Sequence, residues 1–595
     1  MAERRRVAQI AVASTLGAVA AVMRVNPIFD PDYFWHLATG ALVVRTRVVP
    51  ATDPFSHTFA GAPWRFVDWL ADVLMFGLFR LGGDRLVVVA FALVGGLAVA
   101  LALALQRVRP TVAFATGCLL LPAVVFRISP RPQTLTLLAL VTLLAVLERA
   151  RRSPRALWAA PALIALWQNV HSSAILGWLV LVGHAAGTAL EVRAGRADPS
   201  ARRQGLLATA AGFVALFCAV RPLDRLVAGF DHVGDRNVAL LFDEWAPVWA
   251  LRGFYAAVPA FAVLLFGVVA AACTARGRAA LGFHRILPAF GLAALGVVTM
   301  RFLPLAALAL APLFARAVEE GLAAERPRAW LALPAVLGLA LLAYKPRPIG
   351  FGLARGDFPV DAGAFVAREH PSGKLYNDFH YGGWVMWELG VPVFVDGRSM
   401  AVYGVGFVLS LATANDERFG ELLDQHQVGW ALAPTHQRTG WFQRRPGWAL
   451  VYFDDVAFVA VRVRDNPALA EKHAYRALDV ARWQEAIPTL RDKPWLATLA
   501  RTEAQRAIAA AKTASLPWVL LASVEIARGD GPAADAAIEE ALRRDPGSAR
   551  AHRAKLIRCQ EKSDLTCTCA EVQAVLAVTP KNAYALATRN QAGCP

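Results

Sequence analysis

Acidic side chains follow the first long apolar run of this chain. The segment DPDYFWH (30–36) contains Asp30 and Asp32. Two acids two residues apart cannot share one face of a helix, but Pro31 favours a turn or extended backbone in which both approach a common ligand. A carboxylate there can accept a proton from a hydroxyl group or coordinate a divalent metal ion. The competing interpretation is a solvated loop whose aromatic residues mark a membrane–water boundary.

Three arginines stand in comparable positions at the ends of other apolar runs: Arg127, Arg131 and Arg301. A guanidinium group donates paired hydrogen bonds to phosphate, so these residues are predicted phosphate ligands. The alternative is that each side chain extends along apolar surface to reach water. Arg301 fits that alternative least well, because it lies between two apolar runs, where a charge is usually functional.

Further polar candidates lie in short segments beside apolar runs. His171 has Asn169 beside it and is predicted either to contact phosphate or a sugar hydroxyl, or to belong to a helix-capping cluster. Glu244, in FDEW, is a similarly open candidate. The segment 377–404 is dense in polar residues and glycines, which permit tight turns or close approach of a ligand. Its candidates are Asn377, Asp378, Asp396 and Arg398, the last two of which are equally well explained as bracing a turn at a strand end.

The apolar runs predict a membrane protein that crosses the bilayer many times. Hydrophobic residues make up 56% of the 595 residues, and the run 86–106 contains no charged residue. Such a run spans a bilayer core of about 30 Å. The predicted spans number about eleven: 7–23, 86–106, 111–126, 133–147, 156–169, 174–190, 205–220, 254–274, 286–300, 302–316 and 329–344. The runs 286–300 and 302–316 are also compatible with a re-entrant pair around Arg301.

The distribution of basic residues predicts the orientation of these spans. Lys and Arg are about threefold denser in one alternate set of connections than in the other, the pattern of cytoplasmic loops. The N-terminus is thus predicted to be cytoplasmic, and the first outside loop (24–85) to carry the acids. A helix at 64–79 is predicted to lie in the interface. The net charge of +17 then indicates contact with membrane lipids, not nucleic acid.

Composition divides the chain into three predicted domains. Residues 1–345 form the membrane domain. Residues 346–465 alternate short β-type runs, including VPVFVD (391–396) and a closing hairpin, with helical stretches, and predict a small α/β domain. Residues 466–595 are helical, and Pro546 and Pro580 are separated by the 34-residue period of tetratricopeptide repeats. The predicted fold class is therefore mainly α, with protein contact or packing as the role of the repeats.

Four of the seven cysteines are concentrated near the C-terminus, which the predicted topology places outside the cytoplasm: Cys559, Cys567, Cys569 and Cys594. An even number of cysteines in an oxidising compartment predicts disulfides. Cys559 is expected to bond Cys567 or Cys569 across a helix-to-helix turn.

The segments DPDYFWHLATG and VPATDPFSHTFAGAPWRFVDWL, with NDF-x-YGGW and VFVDGR further on, resemble bacterial membrane proteins of the type C glycosyltransferase superfamily. The resemblance implies an enzyme that uses a polyprenyl-phosphate-linked sugar, and the family's first-loop acid maps onto Asp30 or Asp32. His36, Asp53 and Asp68, which are polar residues of the first two segments, are further site candidates.

The leading hypothesis is sugar transfer to an acceptor hydroxyl on the outer face of a bacterial inner membrane, with inversion. Asp32 or Asp30 is the predicted base, and Arg301, Arg127, Arg131 and His171 are predicted to bind the donor phosphate. Mg²⁺ or Mn²⁺ on Asp30 and Asp32 is the candidate cofactor. The alternative is a non-catalytic scaffold that presents the C-terminal repeats to a protein partner. A transporter is a weaker third reading, since no internal repeat of the spans is evident.

Overall fold

The computed structural model of the chain describes residues 2–65, 68–228, 233, 235–250, 256–323 and 348–594. The chain divides into two compact units. The first comprises Met1–Pro54, Phe59–Leu353 and Arg398–Thr413, and the second comprises Phe55–Thr58, Ala354–Gly397 and Ala414–Pro595. The segment 398–413 therefore belongs with the apolar helices although it follows part of the second unit in sequence.

The described part of the first unit is helical. Its helices are α1 (Ala2–Val22), α2 (Asp32–Thr46), α3 (Trp69–Ala104), α4 (Pro110–Val124), α5 (Pro132–Ala150), α6 (Ala159–Val170), α7 (Ala174–Arg193), α8 (Pro199–Ala215), α9 (Pro222–Ala228), α10 (Arg236–Leu241), α11 (Ala257–Ala272), α12 (Ala275–Leu281), α13 (Phe283–Val298), α14 (Leu303–Ala323), Ser399–Val402 and Gly404–Thr413. Short 3₁₀ turns lie at Val125–Arg127, Pro154–Trp158, Asp243–Trp245, Val248–Ala250 and Met300–Phe302.

Several of these helices are suited to cross a membrane. Among the described residues, five are long and apolar enough: Trp69–Ala104, Pro110–Arg127, Pro132–Ala150, Ala174–Arg193 and Met300–Gly321. A sixth candidate is the pair α11 and α12, which is bent by 113°. The other predicted spans within the described residues are helical but shorter or less apolar, and the predicted span 329–344 lies outside the described residues. The total of eleven remains a prediction.

The predicted interfacial helix continues into the first long span. Helix α3 begins at Trp69 and runs to Ala104, but Gly82 and Gly83 interrupt it with non-helical backbone angles. Gly83 has a φ of +62°, a conformation that glycine adopts without steric cost. The break separates the segment that carries Asp68 and Asp72 from the apolar segment that follows.

Small residues let the helices around the polar residues approach closely. A Cβ atom added to Gly40 of α2 would lie 2.1 Å from the backbone oxygen of Asp72 in α3. Similarly, a Cβ atom added to Gly17 of α1 would lie 2.6 Å from the backbone oxygen of Gly96. Glycines at such crossings are typical of membrane helix pairs, which gain packing contacts from close approach. The crossing at Gly40 holds α2 against the start of α3.

The second unit contains a four-stranded mixed sheet in the order β1–β2–β4–β3. The strands are β1 (Lys374–Asn377), β2 (Val428–Pro434), β3 (Trp448–Phe453) and β4 (Ala457–Arg462). Strand β1 is parallel to β2, and the other neighbours are antiparallel. Helices Val360–Glu369, Asp416–Gln425 and Thr439–Arg444 accompany the sheet, and Gly382–Trp384 continues into a π-helical turn, Val385–Leu389.

The predicted hairpin at the end of the α/β region is confirmed, whereas one predicted strand is wrong. Strands β3 and β4 pair as expected, and Asp454 at their turn accepts the N–H groups of Val456 and Ala457. The segment 391–396 is not a strand. The Asn377 side chain donates to the carbonyl of Val395 and accepts the N–H of Phe394, which occupies backbone groups that a ladder would need.

Helices make up the rest of the second unit: Pro467–His473, Trp483–Asp492, Pro494–Ala510, Leu516–Arg528, Gly531–Arg544, Ala549–Glu561, Leu565–Val578 and Ala583–Ala592. Consecutive helices pack against each other from Pro494 onward. Cys559 is bonded to Cys567, and Cys569 to Cys594. The disulfides thus join the last three helices and the C-terminal end. Membership in the tetratricopeptide repeats stays a prediction.

Candidate active site

Asp30 and Asp32 both face one guanidinium group in the first unit. Pro31 holds the turn before α2, and the N–H of Asp32 donates to Asp30 Oδ1 at 3.1 Å. Arg131, the residue before α5, places Nε 2.5 Å from Asp30 Oδ2 and Nη2 2.5 Å from Asp32 Oδ2. The two acids therefore share one partner within the chain, the Arg131 guanidinium, while their predicted role toward a bound ligand stays a prediction.

Burial sets the ionisation of this group. It raises the pKa of Asp32 to about 6, a shift that the Arg131 guanidinium opposes and that the charges of Asp30 and Glu244 increase. Burial alone would lower the pKa of Arg131, but the charges of Asp30, Asp32 and Glu244 outweigh it and raise that pKa. Arg131 is consequently a permanent cation, while Asp32 titrates close to neutrality.

A second ion cluster joins Glu244 to two of the predicted phosphate ligands. Arg127, at the end of the turn after α4, pairs with Glu244 Oε2, and Arg301, in the turn before α14, pairs with Glu244 Oε1. The Arg301 guanidinium also lies 4.9 Å from the ring centre of Trp245. Burial would raise the pKa of Glu244, but the charges of Arg127, Arg301 and Arg131 outweigh it and hold that pKa far below its ordinary value.

A third group contains Asp68, His171 and Arg225. His171 Nε2 lies 4.0 Å from Asp68 Oδ2, and Arg225 Nη1 lies 3.5 Å from Asp68 Oδ1. His171 Nδ1 accepts the N–H of Ser173 at 3.1 Å, so a neutral His171 carries its proton on Nε2, toward Asp68. Burial raises the pKa of Asp68 to about 6. Burial, followed by the charges of Arg301, Arg225 and Arg127, lowers the pKa of His171 well below its ordinary value.

These three groups form one electrostatic cluster. The charge of Glu244 acts on Asp32, and the charge of Arg301 acts on both His171 and Asp68. The members come from widely separated segments: the first loop, the ends of α4 and α13, the starts of α5 and α7, α9 and the turn 243–245. These charge effects link eight of the residues predicted from the sequence: Asp30, Asp32, Asp68, Arg127, Arg131, His171, Glu244 and Arg301.

Other sequence candidates in the first unit support this cluster from nearby elements. His36 Nδ1 lies 2.6 Å from Asp72 Oδ1, and both side chains are buried. Asn169 Oδ1 accepts the indole N–H of Trp69 at 3.1 Å, while its amide donates to the carbonyls of Ala165 and Cys218. His36 and Asn169 thus each tie an element of the cluster to α3.

The polar residues of the segment 377–404 have other partners. Arg398 pairs with Asp53 inside the first unit, and its guanidinium lies 4.8 Å from the ring centre of Trp64. In the second unit, Asn377 holds the segment 391–396, and Asp378 accepts the N–H of His380 at 2.9 Å. Asp396 is fully buried in the same unit. The contacts of Asn377 and Asp378 are those of residues that brace turns.

Two residues of the site were not among those predicted from the sequence. Arg225 pairs with Asp68, and Asp72 pairs with His36. Arg225 occurs in RPLDR, a segment that the topology places on the same face as the acids, and this placement was the available signal. Asp72 is one turn after Asp68, and its position among the apolar residues that begin α3 was the corresponding signal.

A divalent metal would need several ligands around the acids. Within the described ranges, no group of three or more His, Cys, Asp or Glu side chains could hold a metal ion. Of the predicted metal ligands, Asp30 and Asp32 each direct Oδ2 at Arg131. The acids fit a guanidinium group and do not fit the predicted Mg²⁺ or Mn²⁺.

Comparison with known proteins identifies the fold. The sequence matches no protein-family model and no curated protein. The crystal structure of the apo oligosaccharyltransferase from Archaeoglobus fulgidus matches with a TM-score of 0.51 and 14% identity, over 77% of this chain and 74% of that chain. ArnT from Cupriavidus metallidurans, bound to undecaprenyl phosphate, has a TM-score of 0.46 and 15% identity, over 78% of this chain and 98% of that chain. The chain is a multi-pass membrane protein whose fold is similar to that of the archaeal oligosaccharyltransferase.

Proposed function

We propose that this chain transfers a sugar from a polyprenyl-phosphate-linked donor to an acceptor hydroxyl group at the extracytoplasmic face of a bacterial inner membrane. The observation that carries the proposal is the electrostatic cluster in which Asp32, Asp68 and Glu244 are paired with four arginines. A carboxylate whose pKa is near neutrality beside guanidinium groups suits a reaction that removes a proton and releases a phosphate.

Arg127 and Arg301 are the proposed ligands of the donor phosphate. Each pairs with one carboxylate oxygen of Glu244, so the two guanidinium groups already hold an anion between them. A phosphate presents two oxygens in a similar arrangement and is a ligand that arginine favours. The donor phosphate would therefore replace the Glu244 carboxylate between Arg127 and Arg301. His171 would lie nearby as a neutral N–H donor.

Asp32 is the proposed general base. Asp30 keeps Oδ1 on the N–H of Asp32, whereas the pKa of Asp32 is raised to about 6, closer to the pH at which a base operates. In the reaction, Asp32 takes the proton of the acceptor hydroxyl as its oxygen forms a bond to the anomeric carbon. The bond from that carbon to the phosphate oxygen breaks, and the electron pair leaves with the polyprenyl phosphate. Attack opposite the leaving group inverts the anomeric centre.

The orientation rests on the basic connections. The cluster lies at the start of α5 and the end of α13, while Glu148 and Arg285 pair at the other ends of these helices. A 19-residue helix is about 28 Å long, the thickness of a bilayer core. Since the basic connections follow α5 and precede α13, the positive-inside rule assigns that end to the cytoplasm and the cluster to the extracytoplasmic face.

The C-terminal helices would then face the same compartment as the product. We propose the three-part division 1–345, 346–465 and 466–595 for the chain, with the last part as a repeat-type surface for a protein partner. The two disulfides are consistent with an oxidising compartment outside the cytoplasm.

Accumulation of the donor tests the proposal. Deleting the gene should remove one surface glycan and leave its polyprenyl-phosphate sugar in the membrane, measurable by mass spectrometry of extracted lipids. Adding membranes with the wild-type chain should consume that lipid, whereas membranes with the Asp32→Asn variant should not. Unchanged glycans and lipid-linked sugars after deletion would favour the scaffold alternative.

A further inference from the structure

The space between Asp30 and Asp32 is filled by the Arg131 side chain. Carboxylates two residues apart that face a common centre are a usual arrangement for binding Mg²⁺ or Ca²⁺. Here the common centre is the Arg131 guanidinium, with Nε at 2.5 Å from one acid and Nη2 at 2.5 Å from the other. One cation therefore lies within ion-pair distance of both acids and occupies the space between them.

Backbone hydrogen bonds hold Arg131 in position at the start of α5. The N–H of Arg131 donates to the carbonyl of Ser129 at 2.7 Å, and its own carbonyl accepts the N–H of Thr134 at 3.0 Å. Pro132 follows as the first residue of α5, so the chain enters the helix at a defined angle. The Arg131 side chain is mostly buried, with 17% of its surface exposed.

A divalent cation and Arg131 would compete for the same oxygens. A metal ion bound to Asp30 Oδ2 and Asp32 Oδ2 would have to lie where the guanidinium lies, or repel it at close range in a site shielded from water. Arg131 also acts electrostatically on Glu244, the anion held by Arg127 and Arg301. It therefore contributes charge to the same region in which the proposed donor phosphate would lie.

We propose that Arg131 is the built-in cation of this site, taking the place that a divalent metal would occupy between Asp30 and Asp32, and that sugar transfer needs no metal ion. The statement about sugar transfer rests on the proposed function. The exclusion of a metal ion from the space between Asp30 and Asp32 does not depend on it. Charge on the leaving phosphate is then balanced by guanidinium groups alone.

Mn²⁺ binding to the purified full-length protein in nanodiscs tests the inference without any substrate. Electron paramagnetic resonance of free Mn²⁺ measures the bound fraction in the wild type, Arg131→Ala, Arg131→Lys and Asp30→Asn/Asp32→Asn variants. The wild type should bind no more Mn²⁺ than Asp30→Asn/Asp32→Asn. Arg131→Ala should gain one site per chain, whereas Arg131→Lys, which keeps a cation beside the acids, should gain none.

Binding of one Mn²⁺ per wild-type chain that is lost in Asp30→Asn/Asp32→Asn would overturn the inference.

A second measurement uses the rate of sugar transfer. Membranes washed with EDTA should retain the wild-type rate within about twofold, and a loss of tenfold or more that Mn²⁺ restores would also overturn it. Absence of transfer under every condition would instead count against the proposed function and leave the Mn²⁺ measurement to decide.

Discussion

Arg398 Nη1 lies 2.5 Å from Asp53 Oδ1, and both side chains are completely shielded from solvent. The two residues are 345 positions apart in the sequence, so this ion pair fastens the first loop to the segment 398–413 within the first unit. Breaking a buried pair by removing one partner leaves the other charge in a poorly solvated place.

Asp53→Ala should therefore destabilise the protein by about 3–5 kcal/mol, seen as a lower temperature of thermal unfolding in detergent. The matched control is Glu421→Ala, which breaks a pair with Arg418 that is about half exposed. Exposed pairs contribute about 0–1 kcal/mol, so this variant should unfold near the wild-type temperature. Equal shifts for both variants would show that Asp53 does not hold the first loop.

The rate of sugar transfer should fall on acidification around pH 6. A base works in its deprotonated form, and burial raises the pKa of Asp32 from its ordinary value near 4 to about 6. Protonation of one such group should lower the rate about tenfold between pH 7 and pH 5. Measuring the initial rate in membranes from pH 4.5 to pH 8 checks this, and a profile that stays flat to pH 4.5 would contradict the role of Asp32.

Replacing Glu244 with Gln should strengthen phosphate binding. Glu244 occupies Arg127 and Arg301 in the free protein, and the substitution removes its charge while keeping its shape. Loss of charge-assisted hydrogen bonds should favour a competing anion about tenfold, measured as the affinity of the purified protein for a short-chain polyprenyl phosphate.

Arg301→Lys should have the opposite effect, because an ammonium group cannot reproduce the geometry of the guanidinium. Arg45→Lys, at an exposed position on α2, is the control and should leave the affinity unchanged. Weaker binding by Glu244→Gln would mean that Glu244 supports the phosphate site instead of occupying it.

Three of the seven cysteines should react with a thiol reagent when the purified protein is denatured without reduction. Cys118, Cys218 and Cys273 are free, whereas the other four are joined in pairs. After reduction, all seven should react, as counted by intact mass. Seven reactive thiols before reduction would contradict the disulfides and weaken the assignment of the C-terminal region to an oxidising compartment.

The elements of this fold follow from local sequence patterns, but the partners inside the site do not. Apolar runs predicted the long helices, and the hairpin at 448–462 followed from two β-type runs around Asp454. The turn at Pro31 indicated that the side chains of Asp30 and Asp32 could approach a common centre. Nothing local indicated that Arg131 occupies this centre, because a contact between residues so far apart in sequence depends on how helices pack.

The same reason explains the errors and omissions. The segment 391–396 has the composition of a strand, yet the Asn377 side chain takes up the N–H of Phe394 and the carbonyl of Val395. Glu244 was an open candidate in the sequence because its two arginine partners lie on other helix ends. The role of Arg225 beside Asp68 also depends on packing, since the two residues are far apart along the chain.

The most direct test of sugar transfer is restoration of the missing glycan in a deletion strain by variants of the two first-loop acids. The wild type should restore it, and the double variant Asp30→Asn/Asp32→Asn, expressed at the same level in the membrane, should restore none that mass spectrometry detects. Asparagine keeps the shape of each side chain but accepts no proton, and loss of a general base alone costs about 10²–10⁴-fold in rate. Full restoration by the double variant would contradict the proposed mechanism and leave the chain as a scaffold.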